Sequence, residues 1–140
     1  MIIKIATFNL FQFCSPEFSF YTKKEKFKKE DWEEKKNWIK EQLQKMNCDI
    51  VGFQEVFSQE ELKELVLECG FKEFVVSNKP KLDEKNRVFK TTTVALASKF
   101  PIKEIKKVSK NENFTFAREP IKATISLKND LDINIASISI

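Results

Sequence analysis

Hydrophobic residues along the chain recur first with the spacing of a strand, then with that of a helix. The run Ile2–Leu10 is largely apolar on both of its alternating faces, which predicts a strand covered on both sides. A charged segment from about Lys23 to Met46 predicts a helix, because its apolar residues share one face and lysine and glutamate fill the rest. The residues of that apolar stripe are Trp32, Ile39, Leu43 and Met46.

The pattern then alternates between a strand, a helix and another strand. Asp49–Val56 predicts a buried strand, and Phe71–Ser77 predicts the next one. Between them lies a helix with Leu62, Leu65, Val66 and Cys69 on one side, and Gly70 stands where a glycine ends a helix. Two N-terminal capping boxes are expected, Thr22 with Glu25 and Ser58 with Glu61.

The remainder of the chain, from Val88, is rich in strand patterns. The predicted strands are Thr92–Ser98, Ile102–Val108, Phe114–Leu127 (as one strand or as two broken near Pro120) and Leu131–Ile140. Strands and helices that alternate before a final meander indicate a mixed α/β layered fold. We find no repeat or linker, so residues 1–140 are interpreted as one domain.

Composition narrows the possible classes of protein. The chain has 140 residues, 41% of them hydrophobic, which is enough for one domain with a core. Only 2 residues are glycine, which argues against a glycine-rich phosphate loop. The net charge of +4 is spread along the chain, so it allows weak attraction to phosphates without identifying nucleic acid.

The cysteines and the N-terminus bear on the cellular location. Cys14, Cys48 and Cys69 are odd in number and widely spaced, which favours buried, reduced thiols. The apolar start, residues 1–15, is read as a first strand rather than a signal peptide, since Lys4 interrupts it and no cleavage site follows. No stretch is long enough to span a bilayer, and we expect a cytoplasmic protein.

Two predicted strands end in polar side chains that suit a metal site. The first closes with Asn9, and the strand Asp49–Val56 closes with Gln54 and Glu55. A carboxylate at the end of an apolar strand needs a partner, and Mg²⁺ is held by one or two carboxylates with water and phosphate oxygens. The alternative from the residues alone is that Asn9 caps a turn and Glu55 is simply exposed.

Several segments resemble, in order, the motifs of the endonuclease/exonuclease/phosphatase superfamily, which has the DNase I-like fold. They are "IATFNL", "WIKEQLQKMNCDIVGFQEV" with its continuation "FS", "TVALASKFPI" and "FAREPIKATISL". The resemblance runs through nearly the whole chain. It implies part of a four-layer α/β/β/α sandwich whose mixed, mostly antiparallel sheet is flanked by helices.

The resemblance also implies roles for individual residues. Glu55 would be the metal ligand, and Asn9 would lie beside both the metal and the scissile phosphate. Gln54 would support the site or be a structural amide, and Arg118 would reach a phosphate or be an ordinary surface arginine. The implied cofactor is Mg²⁺ or Mn²⁺, and the implied reaction is hydrolysis of a phosphate ester, with nucleic acid among the possible substrates.

The chain lacks the motifs of the second half of the family pattern. The family's later motifs carry a histidine and a general-base aspartate, whereas this sequence contains no histidine, and its last strand, "INIASISI", resembles the one that leads to the first of them. The sequence is therefore interpreted as the N-terminal portion of a phosphoesterase, inactive or nearly so by itself. The alternatives are a non-catalytic binding module or a complementing half that pairs through an exposed sheet, since the second sheet is expected to be mostly missing.

One basic segment, Lys23–Lys29, allows two interpretations. Lysines around Phe27 are compatible with a surface that follows a phosphate backbone. The simpler interpretation is the solvated face of the predicted helix, because Glu25 dilutes the positive charge.

Overall fold

The structure is a computed structural model, and it describes residues 1–107 and 118–138. The described residues form ten strands and two α-helices. In chain order these are β1 (Ile5–Phe13), β2 (Ser19–Phe20), α1 (Lys29–Met46), β3 (Ile50–Val56), α2 (Gln59–Glu68), β4 (Glu73–Val76), β5 (Leu82–Asp83), β6 (Val88–Phe89), β7 (Thr93–Ser98), β8 (Ile102–Lys107), β9 (Ile121–Ser126) and β10 (Asp132–Ser137).

The central sheet has the strand order β1-β3-β7-β4 and is mixed. β1 runs parallel to β3, while β7 is antiparallel to both β3 and β4. β3 and β7 are apolar and almost fully buried, as expected for strands covered on both faces. The predicted mixed α/β fold is thereby confirmed.

Both helices pack on one face of the central sheet. The buried stripe of α1, formed by Trp32, Ile39 and Leu43, joins the same core cluster as Val51 and Phe53 of β3. The stripe was predicted from its helical spacing, and Met46 is its half-buried end. Helix α2 adds its own apolar side to this cluster.

A second sheet, with the order β10-β9-β8, covers the other face of the central sheet. Its residues Ile121, Ala123 and Ile125 share a core cluster with Ile50 and Leu96 of the central sheet. The expectation that the second sheet is mostly missing, leaving "TVALAS" exposed, is therefore wrong. The C-terminal meander is itself that sheet, so three layers are present and the fourth stays a prediction.

Helix α1 begins later than predicted. It starts at Lys29 rather than Lys23, and the Thr22–Glu25 capping box does not form, because a backbone turn joins Glu25 N–H to the Thr22 carbonyl instead. The ring of Phe27 explains the shift. It packs against Phe20, at 5.7 Å between ring centroids, and holds the preceding segment against an aromatic cluster.

Helix α2 ends as predicted but begins differently. Gly70 has φ +95°, and the Gly70 and Phe71 N–H groups donate to the Leu67 and Val66 carbonyls, which closes the helix in a Schellman motif. The Ser58–Glu61 capping box is wrong, since no side-chain cap bond forms at Ser58. The Ser58 hydroxyl accepts the Ser15 N–H at 2.8 Å instead, tying the helix start to the chain beyond β1.

The remaining predicted strands are largely confirmed, with shifted ends. β1 starts at Ile5 and continues to Phe13, beyond the predicted end at Leu10. Val108 and residues 114–117 and 139–140, which belong to predicted strands, lie outside the described residues. Among the described residues, no helix has the length and apolarity needed to cross a membrane.

Cys14 gives a prediction on pH. It is fully buried, and burial raises the pKa of its thiol from 9.0 to about 12, against the opposing effect of a hydrogen bond with Ser58. In the unfolded chain the thiol ionises near its ordinary pKa, whereas the folded protein keeps it protonated. The protonated Cys14 thiol therefore makes its full contribution to the free energy of unfolding below about pH 9. That contribution is lost as the pH rises toward the pKa of the thiol in the folded protein.

We expect the free energy of unfolding to fall more steeply above pH 9 in the wild type than in Cys14→Ala. Urea unfolding under reducing conditions at pH 8, 9 and 10 measures this. Lysines titrate in both proteins, so the informative quantity is the difference between them, which should shrink with pH. A constant difference would contradict the assignment.

Candidate active site

Asn9 and Glu55 meet where β1 and β3 end side by side. The two strands are parallel, with Asn9 opposite Gln54 in register, so their carboxyl ends lie at the same edge of the sheet. Asn9 Nδ2 donates to Glu55 Oε1 at 3.4 Å. The amide and the carboxylate therefore share one corner of the fold, which we call the Asn9–Glu55 corner.

Distorted backbone shapes this corner. The register between β1 and β3 shifts between Asn9 and Phe13, and Phe11, Gln12 and Glu55 have φ of 50°, 63° and 59°. Left-handed backbone is rare for residues other than glycine, and it costs on the order of 1–3 kcal/mol per residue. Such strain persists only where the surrounding structure enforces it.

The distorted segment turns backbone donors toward both side chains. Gln12 N–H donates to Glu55 Oε2 at 3.0 Å, and Phe11 N–H donates to Asn9 Oδ1 at 2.9 Å. Both side chains are therefore oriented by the backbone itself. Sequence reasoning missed this bulge, since no glycine marks its left-handed positions.

A lysine of α1 also reaches the corner. Lys35 Nζ donates to the Phe11 carbonyl at 2.9 Å and lies 5.3 Å from the centroid of the Phe27 ring. Burial lowers the pKa of Lys35, and the charge of Glu55 opposes that shift. Sequence analysis assigned this position to a solvated helix face, so its part in the site was missed.

Gln54 makes its contacts away from the carboxylate. Its Oε1 accepts the Thr7 hydroxyl at 3.2 Å, and its Nε2 donates to the Gly52 carbonyl at 3.4 Å. It is buried beside the corner and links β1 to β3. These contacts are those of a structural amide; direct support of a metal stays a prediction.

Hydroxyl groups continue the polar edge onto the neighbouring strands. Thr93, opposite Val56 in register, is fully buried, and its Oγ1 lies 3.0 Å from Ser77 Oγ and 3.1 Å from Asn78 Oδ1. These residues follow or begin strands at the same end of the sheet as the corner. Sequence analysis passed over them, because isolated threonine, serine and asparagine carry little signal.

Arg118 lies beside β7 rather than in the corner. Its Nε donates to the Thr92 hydroxyl, and Thr92 directly precedes the strand residue Thr93. Among the hydrogen bonds of the described residues, none joins Arg118 to Asn9 or Glu55. The structure therefore brings Asn9 and Glu55 together and places Arg118 at the same edge of the sheet in a separate pocket.

The side-chain oxygen atoms at the Asn9–Glu55 corner suit a partly hydrated divalent ion. Glu55 supplies one carboxylate and Asn9 an amide, which agrees with the way Mg²⁺ takes few protein ligands and keeps its remaining positions for water and phosphate. Within residues 1–107 and 118–138, no group of three His, Cys, Asp or Glu side chains converges as a metal cage would require. Glu55 and Asn9 therefore fit Mg²⁺ or Mn²⁺, which keep several water ligands, better than a structural Zn²⁺ ion held by protein side chains alone.

A central mixed sheet lies between two helices and a second sheet, with a polar corner at the strand ends, as expected for part of the DNase I-like fold. The crystal structure of an endonuclease/exonuclease/phosphatase from Beutenbergia cavernae DSM 12333 is similar, with a TM-score of 0.63 and 12% sequence identity over 96% of this chain. The chain spans 37% of that structure's length, and at this identity the likeness establishes the fold. No family model matches the sequence, and no curated protein matches it.

Proposed function

We propose that the chain carries the metal- and phosphate-binding portion of a Mg²⁺-dependent phosphoesterase. The observation that carries the proposal is the 3.4 Å approach of Asn9 Nδ2 to Glu55 Oε1, with Glu55 held by the Gln12 N–H. The fold alone would not carry it, since one fold hosts many functions. The remaining support is that both side chains occupy a strained, preoriented corner, as functional residues often do.

In this proposal Glu55 and Asn9 hold the ion, which when bound neutralises charge on the phosphate oxygens and stabilises the leaving oxygen. The Gln12 N–H fixes the Glu55 carboxylate. The Asn9 amide, fixed by the Phe11 N–H, presents a donor toward a phosphate oxygen. Arg118, oriented by Thr92, supplies a planar cation suited to phosphate.

By themselves these residues should hydrolyse esters slowly or not at all. The chain contains no histidine, and no general-base aspartate is assigned among its residues. Groups that act as one catalytic unit lose activity together, so a partial set gives little residual rate. We therefore place binding in this chain and expect full turnover only with the family's later motifs.

A second candidate function is that of a complementing half that pairs with another chain. Among the described strands, β1 and β10 lie at the edges of their sheets, and both line one cleft of about 430 Å³ between the sheets. Ser137 Oγ is buried in this cleft with no partner among the described residues, which a docking strand could provide. The surface for pairing is therefore formed by the edges of β1 and β10, and not by an exposed sheet face as expected from the sequence. Size-exclusion chromatography tests self-association, which would appear as a dimer.

Removing the carboxylate tests the metal site. We expect Glu55→Gln to weaken binding of Mn²⁺ at least tenfold, because the amide keeps the shape and the acceptor for Gln12 N–H but loses the charge. In NMR spectra of the wild type, Mn²⁺ should broaden the Gln12 N–H and the Asn9 side-chain amide first. The matched control is Glu34→Gln, an exposed glutamate of α1.

Equal broadening in wild type and Glu55→Gln would contradict the metal site. Activity is a separate readout: with Mg²⁺ and a generic phosphodiester, we expect no turnover above buffer. Turnover that Glu55→Gln abolishes would support the site and refute the expected inactivity.

A further inference from the structure

A second polar pocket lies at the same edge of the central sheet as the Asn9–Glu55 corner. It has a volume of about 110 Å³ and is lined by Tyr21, Lys90, Thr91, Thr92 and Arg118. All five side chains carry a hydrogen-bond donor, two of them are cations, and none is a carboxylate. Such a lining favours an anion with several acceptor oxygens, and phosphate is the anion that arginine and lysine together suit best.

The connections of the pocket place it at the same edge of the sheet as Glu55. Thr92 precedes Thr93, which pairs with Val56, the residue after Glu55. The Tyr21 ring packs edge-to-face on Phe57, at 5.3 Å between centroids. The pocket therefore begins about two residues beyond Glu55 along the chain direction of β3.

The side chains of the pocket are positioned by the fold. Thr92 is 3% exposed, and its hydroxyl accepts a hydrogen bond from Arg118 Nε, which fixes the guanidinium from one side. Tyr21 N–H donates to the Phe89 carbonyl at 2.8 Å, and Lys90 N–H donates to the Lys81 carbonyl at 2.7 Å. Within the described residues, no close salt bridge engages Lys90 or Arg118, and a charge that acts with Lys90 is that of Asp83 across the β5–β6 pair.

An exposed basic loop leads away from the pocket. Residues 22–28 follow Tyr21 directly and lie outside α1, so the interpretation of this segment as a helix face is wrong. Its exposed lysines are Lys23, Lys24, Lys26 and Lys28. Hydrogen bonds from Phe20 N–H to the Glu25 carbonyl and from the Ser19 hydroxyl to the Lys23 carbonyl hold the loop against β2.

We propose that the pocket of Tyr21, Lys90, Thr91, Thr92 and Arg118 binds a second phosphate of the substrate, next to the phosphate held at the Asn9–Glu55 corner. The substrate class is then one with at least two neighbouring phosphates, as in a nucleic acid strand. The proposal rests on the proposed function, which it deepens. The basic loop would carry the strand onward by charge alone.

Phosphate number is the variable that tests the proposal. Binding of a thymidine dinucleotide with and without a 5′-phosphate is followed by NMR shifts in the presence of Mg²⁺. In the wild type we expect the added phosphate to strengthen binding at least fivefold. Lys90→Gln and Arg118→Gln should each lose most of that gain, whereas Lys85→Gln, an exposed lysine outside the pocket, should keep it.

Salt dependence separates a phosphate contact from a merely structural role. For a longer single-stranded oligonucleotide, removing one phosphate-contacting cation lowers the slope of log K against log salt by about 0.7. Lys90→Gln should show that decrease and Lys85→Gln should not. A small inositol bisphosphate is titrated in parallel with the oligonucleotide, and the tighter of the two ligands shows whether the pocket prefers a strand or a compact bisphosphate. If either ligand binds more tightly than the dinucleotide without a 5′-phosphate, the pocket is supported.

The two proposals fail in different ways. If Lys90→Gln and Arg118→Gln keep the full gain and the wild-type salt slope, the second-phosphate pocket is refuted. If Glu55→Gln binds Mn²⁺ and both dinucleotides like the wild type, the metal site is refuted, while a gain that still depends on Lys90 would leave the pocket standing.

Discussion

Replacing Phe53 by alanine is expected to lower the free energy of unfolding by about 3–5 kcal/mol. Phe53 is fully buried in β3, within the cluster that joins both helices to the central sheet, and its ring stacks against Phe8 at 6.2 Å. Removing a ring there loses its transfer free energy and leaves a cavity that the sheet cannot close. Since domains of this size are stable by about 5–15 kcal/mol, the loss is a large part of the total.

Urea unfolding followed by circular dichroism measures the change in Phe53→Ala. Leu67→Ala is the matched control, because Leu67 is 48% exposed on α2 and should change stability by no more than about 0.5 kcal/mol. Phe53 also precedes Gln54 and Glu55 in β3, so Mn²⁺ binding should weaken together with stability. An unfolding midpoint equal to that of the wild type would show that β3 is not the centre of the core.

Replacing Gly52 by valine is expected to destabilise the protein by about 1–3 kcal/mol through overpacking. A Cβ at Gly52 would lie 2.7 Å from Ser137 Oγ and 3.3 Å from Ser137 Cβ. Real Cβ atoms do not approach an oxygen so closely, so the Ser137 hydroxyl would have to rotate away, and the larger valine would also press on Ser137 Cβ. The small residue at position 52 therefore leaves room for the Ser137 side chain of the second sheet.

A double-mutant cycle identifies this contact. Gly52→Ala alone should cost less than valine, and combining it with Ser137→Gly should recover most of the loss, because the clashing atoms are then absent. Free energies of unfolding of the four proteins give the coupling. Purely additive effects would mean that the two strands do not touch at this position.

The sequence predicted the elements whose signals are periodic. The stripe of Trp32, Ile39 and Leu43 located α1, and Gly70 marked the end of α2, because amphipathic spacing and a left-handed glycine act locally. The start of α1 was misplaced, since the docking of Phe27 onto distant aromatic rings outweighs a local capping pattern. The expectation that the second sheet is mostly missing was also wrong, because alternation along a strand does not say which sheet it joins.

The candidate site was predictable only in part. The apolar runs before them placed Asn9 and Glu55 at strand ends, and parallel pairing of β1 with β3 brings such ends together. The orientation of the Phe11 and Gln12 N–H groups was not predictable. It depends on left-handed backbone at residues that are not glycine, and such residues give no sequence signal. The positions of Lys35 and Thr92 likewise depend on tertiary packing, which the neighbouring residues in the sequence do not predict.

The left-handed backbone at Phe11, Gln12 and Glu55 links the stability of the fold to the proposed ion binding, and a change that favours one should weaken the other. A glycine at position 12 would relieve steric crowding there, and the folded state would gain from that relief. The same freedom would let the Gln12 N–H swing away from Glu55, so the carboxylate would have to be fixed afresh each time an ion arrives. A Gln12→Gly variant that is more stable to heat should therefore bind the ion more weakly. This is the common trade-off between the stability of a protein and the strain at its functional site.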